Sequence, residues 1–174
     1  QIDIAVDPLE CTNNCADNTP NSIAVLAAAP RGTLLHAPDC YMDKIAAGPL
    51  LNGHVSLEGS VAYNIEQAAH VLDKAMEDVR IVALDRERHK QLFSEIHATG
   101  AQLDLMGDGD VSGAIWAAKP DGPYDLLLGI GAAPEGVISA TAIRGLGGVF
   151  EGRLVFRSDE EEARAETMVG DDLT

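Results

Sequence analysis

The sequence predicts an α/β protein, an α+β layered sandwich, on three observations. Apolar stretches at residues 80–84, 101–106 and 124–130 alternate with segments of helical periodicity, and such a βαβαβα run favours a parallel sheet with right-handed crossovers, covered on both faces. Charged or glycine-rich loops leave the carboxyl ends of all three stretches, the edge where open α/β sheets bind ligands. With 46% hydrophobic residues in 174, the chain carries enough apolar material for one large domain or two small ones.

Taken in order, residues 2–6 and 22–29 read as neighbouring strands around a polar turn containing Asn13, Asn14, Asp17, Asn18, Pro20 and Asn21. A strand pattern from the first residues predicts that the chain begins inside a domain, with further polypeptide ahead of it. Residues 29–59 are rich in Gly and Pro without a sustained period, so irregular loops between two layers are expected there. Val61, Ala62, Ile65, Ala68, Ala69, Leu72, Ala75 and Met76 recur at helical spacing, giving one amphipathic helix capped by Ser60. Strand 80–84 is followed by a helix over 88–99 closed by Gly100, strand 101–106 by a short helix over 111–118, and strand 124–130 by a helix over 134–146 with proline in its first turn. Residues 159–174 carry seven acids against the lone Arg164 and read as a solvated helix or tail. The organisation expected is residues 1–35 at the end of one α/β layer, 36–157 as a second layer, and 158–174 as an acidic tail.

Charge narrows the function. The formal net charge is −16, from 28 Asp and Glu against 12 Lys and Arg, so a polyphosphate backbone is repelled and nucleic acid is excluded as a partner. Phosphate chemistry on such a chain requires divalent cations on its carboxylates and a few aimed arginines. Cys11, Cys15 and Cys40 lack CxxC spacing, which predicts neither zinc ribbon nor disulfide framework and fits a reducing, cytoplasmic setting. The longest apolar run, residues 23–29, is too short to cross a bilayer, so no membrane partner is expected.

Four loops carry candidate chemistry. Asp7-Pro8-Leu9-Glu10-Cys11-Thr12 leaves the first strand, where Pro8 ends pairing and the turn can aim Asp7 and Glu10 at one point, a pattern suited to Mg²⁺ or Mn²⁺; the alternative is an acidic surface turn capped by Thr12. Arg86 and Arg88 offer planar forks to phosphate oxygens, with His89 able to assist, or else mark a solvated helix start. Gly107-Asp108-Gly109-Asp110 lacks the remaining oxygens of an EF-hand and reads as a tight turn holding sugar hydroxyls, or with Asp110 as a helix cap. Gly129-Ile130-Gly131-Ala132-Ala133-Pro134-Glu135-Gly136 departs from GxGxxG at Pro134, so a dinucleotide site is disfavoured; Glu135 is either a metal carboxylate or a partner of the helix dipole. His36, His54, His70 and His97 show no ligand spacing.

These motifs, together with Ala37-Pro38-Asp39-Cys40-Tyr41-Met42-Asp43-Lys44, resemble in order the class II fructose-1,6-bisphosphatases, including the dual fructose-1,6/sedoheptulose-1,7-bisphosphatases of cyanobacteria. The resemblance runs from Ile2 to about Leu154, and the family is usually close to twice as long. It implies a sugar-phosphatase-like fold, here in part, and Mg²⁺- or Mn²⁺-dependent removal of the 1-phosphate of fructose-1,6-bisphosphate, with sedoheptulose-1,7-bisphosphate as a further substrate. By the same resemblance Asp7, Glu10 and Glu135 match metal ligands, and Asp7, Glu10 and Thr12 match catalytic positions, Thr12 lying near the attacking water. Glu10, Cys11, Thr12, Tyr41, Arg86, Glu87, Arg88, Asp108, Gly109, Asp110 and Ala132 match substrate-contacting positions, and a homo-oligomer, dimer or tetramer, is implied. Cys11 and Ala132 stand where the family usually has glycine. The family's other metal-binding acids come from a segment ahead of the first strand, so the alternative is a shortened, non-catalytic homologue that binds sugar phosphates or a protein partner.

Overall fold

The computed structural model describes residues 1–169; Asp171 and Asp172 of the expected acidic tail lie outside them. Strands β1 (Ile2–Glu10) and β2 (Ile23–Pro30) pair antiparallel as a two-stranded sheet, with Ile4 opposite Ala28 and Val6 opposite Leu26. Between them runs the short helix α1 (Thr12–Ala16). Alternation gives the ribbon two faces: Ala5, Val25 and Ala27 pack inward against Val111 and Ile138, whereas Ile2, Ile4, Val6 and Leu26 are exposed.

The main sheet has five strands in the order β5-β4-β6-β3-β7. Its strands are β3 (Tyr41–Ala47), β4 (Arg80–Leu84), β5 (Gln102–Met106), β6 (Leu126–Ala132) and β7 (Val149–Val155). Strand β4 runs parallel to β5 and β6, as the alternation predicted. Strand β3 lies between β6 and β7, antiparallel to both, so the sheet is mixed rather than parallel. That strand also corrects the expectation of irregular loops throughout 29–59. Strand β7 carries Glu151, Gly152 and Arg153 at mid-strand and has no apolar run to announce it.

Helices α2 (Val61–Val71) and α3 (Lys90–Thr99) cover one face of this sheet, and α4 (Asp110–Ala118) and α5 (Ala133–Leu146) cover the other. The β1–β2 ribbon lies outside α4 and α5, which completes a layered α+β sandwich. Ser60 caps α2 by accepting from the Tyr63 amide, as expected. The helix stops at Val71 rather than Met76 because the chain breaks at Asp73, whose φ of 53° no helix accommodates. Gly100 closes α3 in the left-handed conformation. The acidic segment 159–169 is helix α6 (Asp159–Val169), and it is packed: Glu161 and Ala165 are buried. Among the described residues no helix is long and apolar enough to cross a membrane.

Because β4, β5 and β6 are parallel, their following loops meet at one edge. Antiparallel β3 starts at that same edge, with Tyr41 opposite Ala132, and Ala133 N donates to Cys40 O at 2.9 Å. Alternation along β3 then serves both faces: Ile45 and Ala47 join the cluster under α2 and α3, while Met42 and Ala46 join the clusters on the α4 and α5 side. Ile45 is fully buried at the centre of the sheet. Ile45→Ala is expected to lower the unfolding free energy by about 3 kcal/mol, read as a shift of the urea midpoint at constant slope; a change below ~0.5 kcal/mol would contradict a core role for β3.

Candidate active site

In a regular strand, residues three apart point to opposite faces. The β1–β2 register slips between Asp7, opposite Val25, and Glu10, opposite Ile23, so one extra residue of β1 is accommodated at Pro8-Leu9. This bulge turns Asp7 and Glu10 toward the same side, and the Leu9 amide donates to Asp7 Oδ1 at 2.9 Å to fix the turn. Glu135 reaches the same place from the first turn of α5. One carboxylate oxygen from each of Asp7, Glu10 and Glu135 lies within 4.8 Å of the other two.

Beside them Lys44 Nζ donates to Asp110 Oδ2 at 2.7 Å, with the lysine side chain only 1% exposed. The sequence pointed to Asp110 as a sugar contact or helix cap. Its carboxylate is engaged by Lys44, and the cap position of α4 is taken by Gly109 rather than by Asp110. Gly131 makes room for the pair, since a Cβ there would lie 2.1 Å from Asp110 Oδ2. Lys44 was visible in the sequence only as part of a motif, because it falls in the stretch 29–59 that reads as irregular loops, where a lysine reads as surface.

Three clustered acids therefore lie beside a buried lysine–aspartate pair. Burial first, then a hydrogen bond with Asp7 and the charges of Asp110, Glu135 and Asp7, push the Glu10 carboxyl up to about 8. Burial also raises Glu135, whose Oε2 is buried without a hydrogen-bond partner. An unpartnered carboxylate oxygen beside two others is a donor set that hard divalent cations fit. Cys11, the next residue, holds φ at 65° and ψ at 55°, a left-handed conformation that favours glycine. Its thiol packs where a Cβ on Gly109 would lie 2.5 Å away, and burial followed by the charge of Glu10 pushes it up to about 11, so it stays protonated. Thr12 follows, exposed at the start of α1.

The basic residues gather on the other side of the edge. Arg88 donates through Nε and Nη2 to Ile130 O, at 3.0 and 2.7 Å, and its guanidinium stacks on Tyr41 with Cζ 4.7 Å from the ring centroid. Arg86 Nη1 donates to Asp85 O and to Gly107 O, tying the loop after β4 to the loop after β5. Asp108 Oδ1 accepts from the Gly109 amide, and Ala132 is the last residue of β6. Glu87 points away: its exposed carboxylate pairs with Lys90 at 2.6 Å. His89 does not face an anion either. It is buried, its Nε2 accepts from the Ile130 amide at 2.8 Å, and its Nδ1 sits 2.8 Å from Leu84 O, so the neutral ring braces β4 against β6. His36, His54, His70 and His97 are exposed.

These features define a layered α/β protein with an acidic cluster and an arginine–tyrosine cluster sharing the carboxyl edge of its sheet. Across residues 1–174 the sequence matches the family described as bacterial fructose-1,6-bisphosphatase, glpX-encoded, and the chain belongs to that family. The match thus continues past Leu154 through the acidic segment. Among its relatives, a D-fructose 1,6-bisphosphatase class 2/sedoheptulose 1,7-bisphosphatase of Parasynechococcus marenigrum (strain WH8102) is 48% identical over 173 residues, 99% of this chain and 51% of the relative. Proteins of the same description from Prochlorococcus marinus (strain MIT 9303) and Synechococcus elongatus (strain ATCC 33912 / PCC 7942 / FACHB-805) are 51% and 49% identical, over 89% and 90% of this chain. They are covered to 46% and 45% of their own lengths, so the chain spans about half the length of the curated relatives it matches.

The acid cluster gives a signed pH dependence. Folding raises the Glu10 value from 4.5 to about 8, so the folded chain keeps a proton that the unfolded chain releases. The stability this contributes is complete below about 4.5 and is lost as pH rises through about 8. The metal-free chain is expected to melt at progressively lower temperature across that window, and Mn²⁺ to raise the melting temperature more at pH 8 than at pH 5. Glu10→Gln should flatten the pH dependence and remove most of the Mn²⁺ shift in differential scanning calorimetry. A Mn²⁺ shift unchanged by Glu10→Gln would show that cations act elsewhere.

Proposed function

We propose that this edge hydrolyses a phosphate monoester of a sugar bisphosphate, releasing the 1-phosphate of fructose-1,6-bisphosphate and acting also on sedoheptulose-1,7-bisphosphate. The observation that carries the proposal is the convergence of Asp7, Glu10 and Glu135 within 4.8 Å around an unpartnered Glu135 oxygen. Asp7, Glu10 and Glu135 would hold Mg²⁺ or Mn²⁺, which when bound offsets phosphate charge and lowers the pKa of water. The relatives' names, fructose-1,6- and sedoheptulose-1,7-bisphosphatases, support the substrate class.

The chain's own residues then divide the remaining work. Thr12, exposed beside Glu10, orients the attacking water through its hydroxyl, and the backbone of residues 10–12 borders the reacting phosphate. Lys44 holds the Asp110 carboxylate in place through their ion pair, so that Asp110 lines the site as an acceptor for a sugar hydroxyl together with Asp108 and the Gly109 backbone. Ala132 borders the sugar where β6 gives way to α5. Arg86 and Arg88 take the remote phosphate, and Tyr41 carries the Arg88 guanidinium on its ring. Remote binding of this kind places the reacting phosphate in line and is felt in the transition state as lost entropy already met. No covalent nucleophile is required, and the thiol in the site, Cys11, is held in its unreactive protonated form.

The half-length match supports a second reading for the 174-residue chain taken alone: it binds sugar phosphates at this edge without turnover. Phosphate release from fructose-1,6-bisphosphate with Mn²⁺, abolished by EDTA, is the result expected of the first reading. Binding without release assigns the second, and absence of both contradicts both. In the active protein, Arg88→Ala should raise KM for the bisphosphate roughly tenfold with kcat within about twofold; an unchanged KM would remove Arg88 from the anion site.

A further inference from the structure

Arg157 lies between β7 and α6. Its guanidinium stacks on the same Tyr41 ring as Arg88, with Cζ 4.8 Å from the centroid against 4.7 Å for Arg88. Two cations on one ring repel each other, and this chain has only 12 basic residues to place. Each is nonetheless locked by its environment. Arg88 spends Nε and Nη2 on Ile130 O, and Arg157 spends Nε and Nη2 on Glu161, which also accepts from the Arg157 amide at 2.9 Å. Among the described residues neither Nη1 has a partner, so both remain as donors. The Glu161 side chain is 9% exposed, and Ala165, one turn further along α6, is fully buried, so this clasp is anchored in the packed face of the helix.

We propose that Arg157 is a third phosphate-binding arginine, holding the remote phosphate of the substrate together with Arg88 beside Tyr41, with Glu161 as its positioning residue. The proposal rests on the reading of this edge as a sugar-phosphate site and extends it. An anion received by both guanidinium groups offsets their repulsion, which ties affinity to a doubly charged phosphate rather than to the sugar. Helix α6 thereby serves the site from outside the strand-to-helix loops: its first turn aims the arginine.

The test is calorimetric titration of the 174-residue chain with fructose 6-phosphate and with fructose. Wild type is expected to bind the phosphorylated sugar. Arg157→Gln should weaken that binding roughly tenfold, Arg157→Lys should restore part of it, and the melting temperature of both should stay near wild type because the Arg157 side chain is largely exposed. Glu161→Gln should weaken binding several-fold alone yet add little in the Arg157→Gln background, a non-additivity that a merely structural carboxylate would not produce. Wild-type affinity in Arg157→Gln, with Arg88→Ala weakened, would overturn the role of Arg157 while leaving the phosphate site standing. No binding of fructose 6-phosphate to wild type would overturn the phosphate site and this inference with it.

Discussion

The crowding of carboxylates around one buried lysine is the constraint on which the rest of the structure depends. Asp7, Asp110 and Glu135 all push the Glu10 carboxyl up, and Lys44 is paired with Asp110 within the cluster. Removing one partner of a buried pair of this kind typically costs about 3–5 kcal/mol, because the other charge is left uncompensated. The fold accordingly commits specific devices to the cluster. These are a bulge in β1, a glycine at 131 with no room for a Cβ, a left-handed turn at Cys11 and a lysine set inward from a central strand.

Strand β3 links this cluster to the basic one. Its inward alternation sends Lys44 to Asp110 on the α4 and α5 side, while Tyr41, at the start of the strand, carries the arginines. A single strand thus sets the spacing between the acidic cluster and the arginine–tyrosine cluster. The proposed two-ended substrate would need such fixed spacing, since placement of one end fixes the approach of the other. His89 protects it: its neutral ring joins Leu84 of β4 to Ile130 of β6 directly beneath the arginine loop. Burial lowers its pKa, which keeps the ring neutral and both hydrogen bonds in place.

Much of the scaffold was legible in the sequence because local signals agreed with the tertiary outcome. Residues 80–84 form β4 as an apolar run between polar neighbours, Gly100 closes α3, Ser60 caps α2, and Pro134 stands in the first turn of α5. Strand β3 was not legible, since Asp43 and Lys44 break its apolar run and the partners that accommodate them are far away in sequence. The mixed sheet followed from that omission. At the site, residue identities were readable, but the convergence of Asp7 with Glu10 depends on a one-residue register slip that composition does not encode. The placements of His89, Asp110 and Arg157 were hidden for a common reason. Each is decided by a partner on another element: Ile130 for His89, Lys44 for Asp110, and Tyr41 for Arg157.

The most direct measurement is anomalous diffraction from crystals of the chain soaked in Mn²⁺. The account predicts a manganese peak with oxygens of Asp7, Glu10 and Glu135 at coordination distance, about 2.2 Å, while Lys44 stays on Asp110. A peak bound elsewhere, or an acid cluster that remains without manganese at saturating concentration, would contradict it.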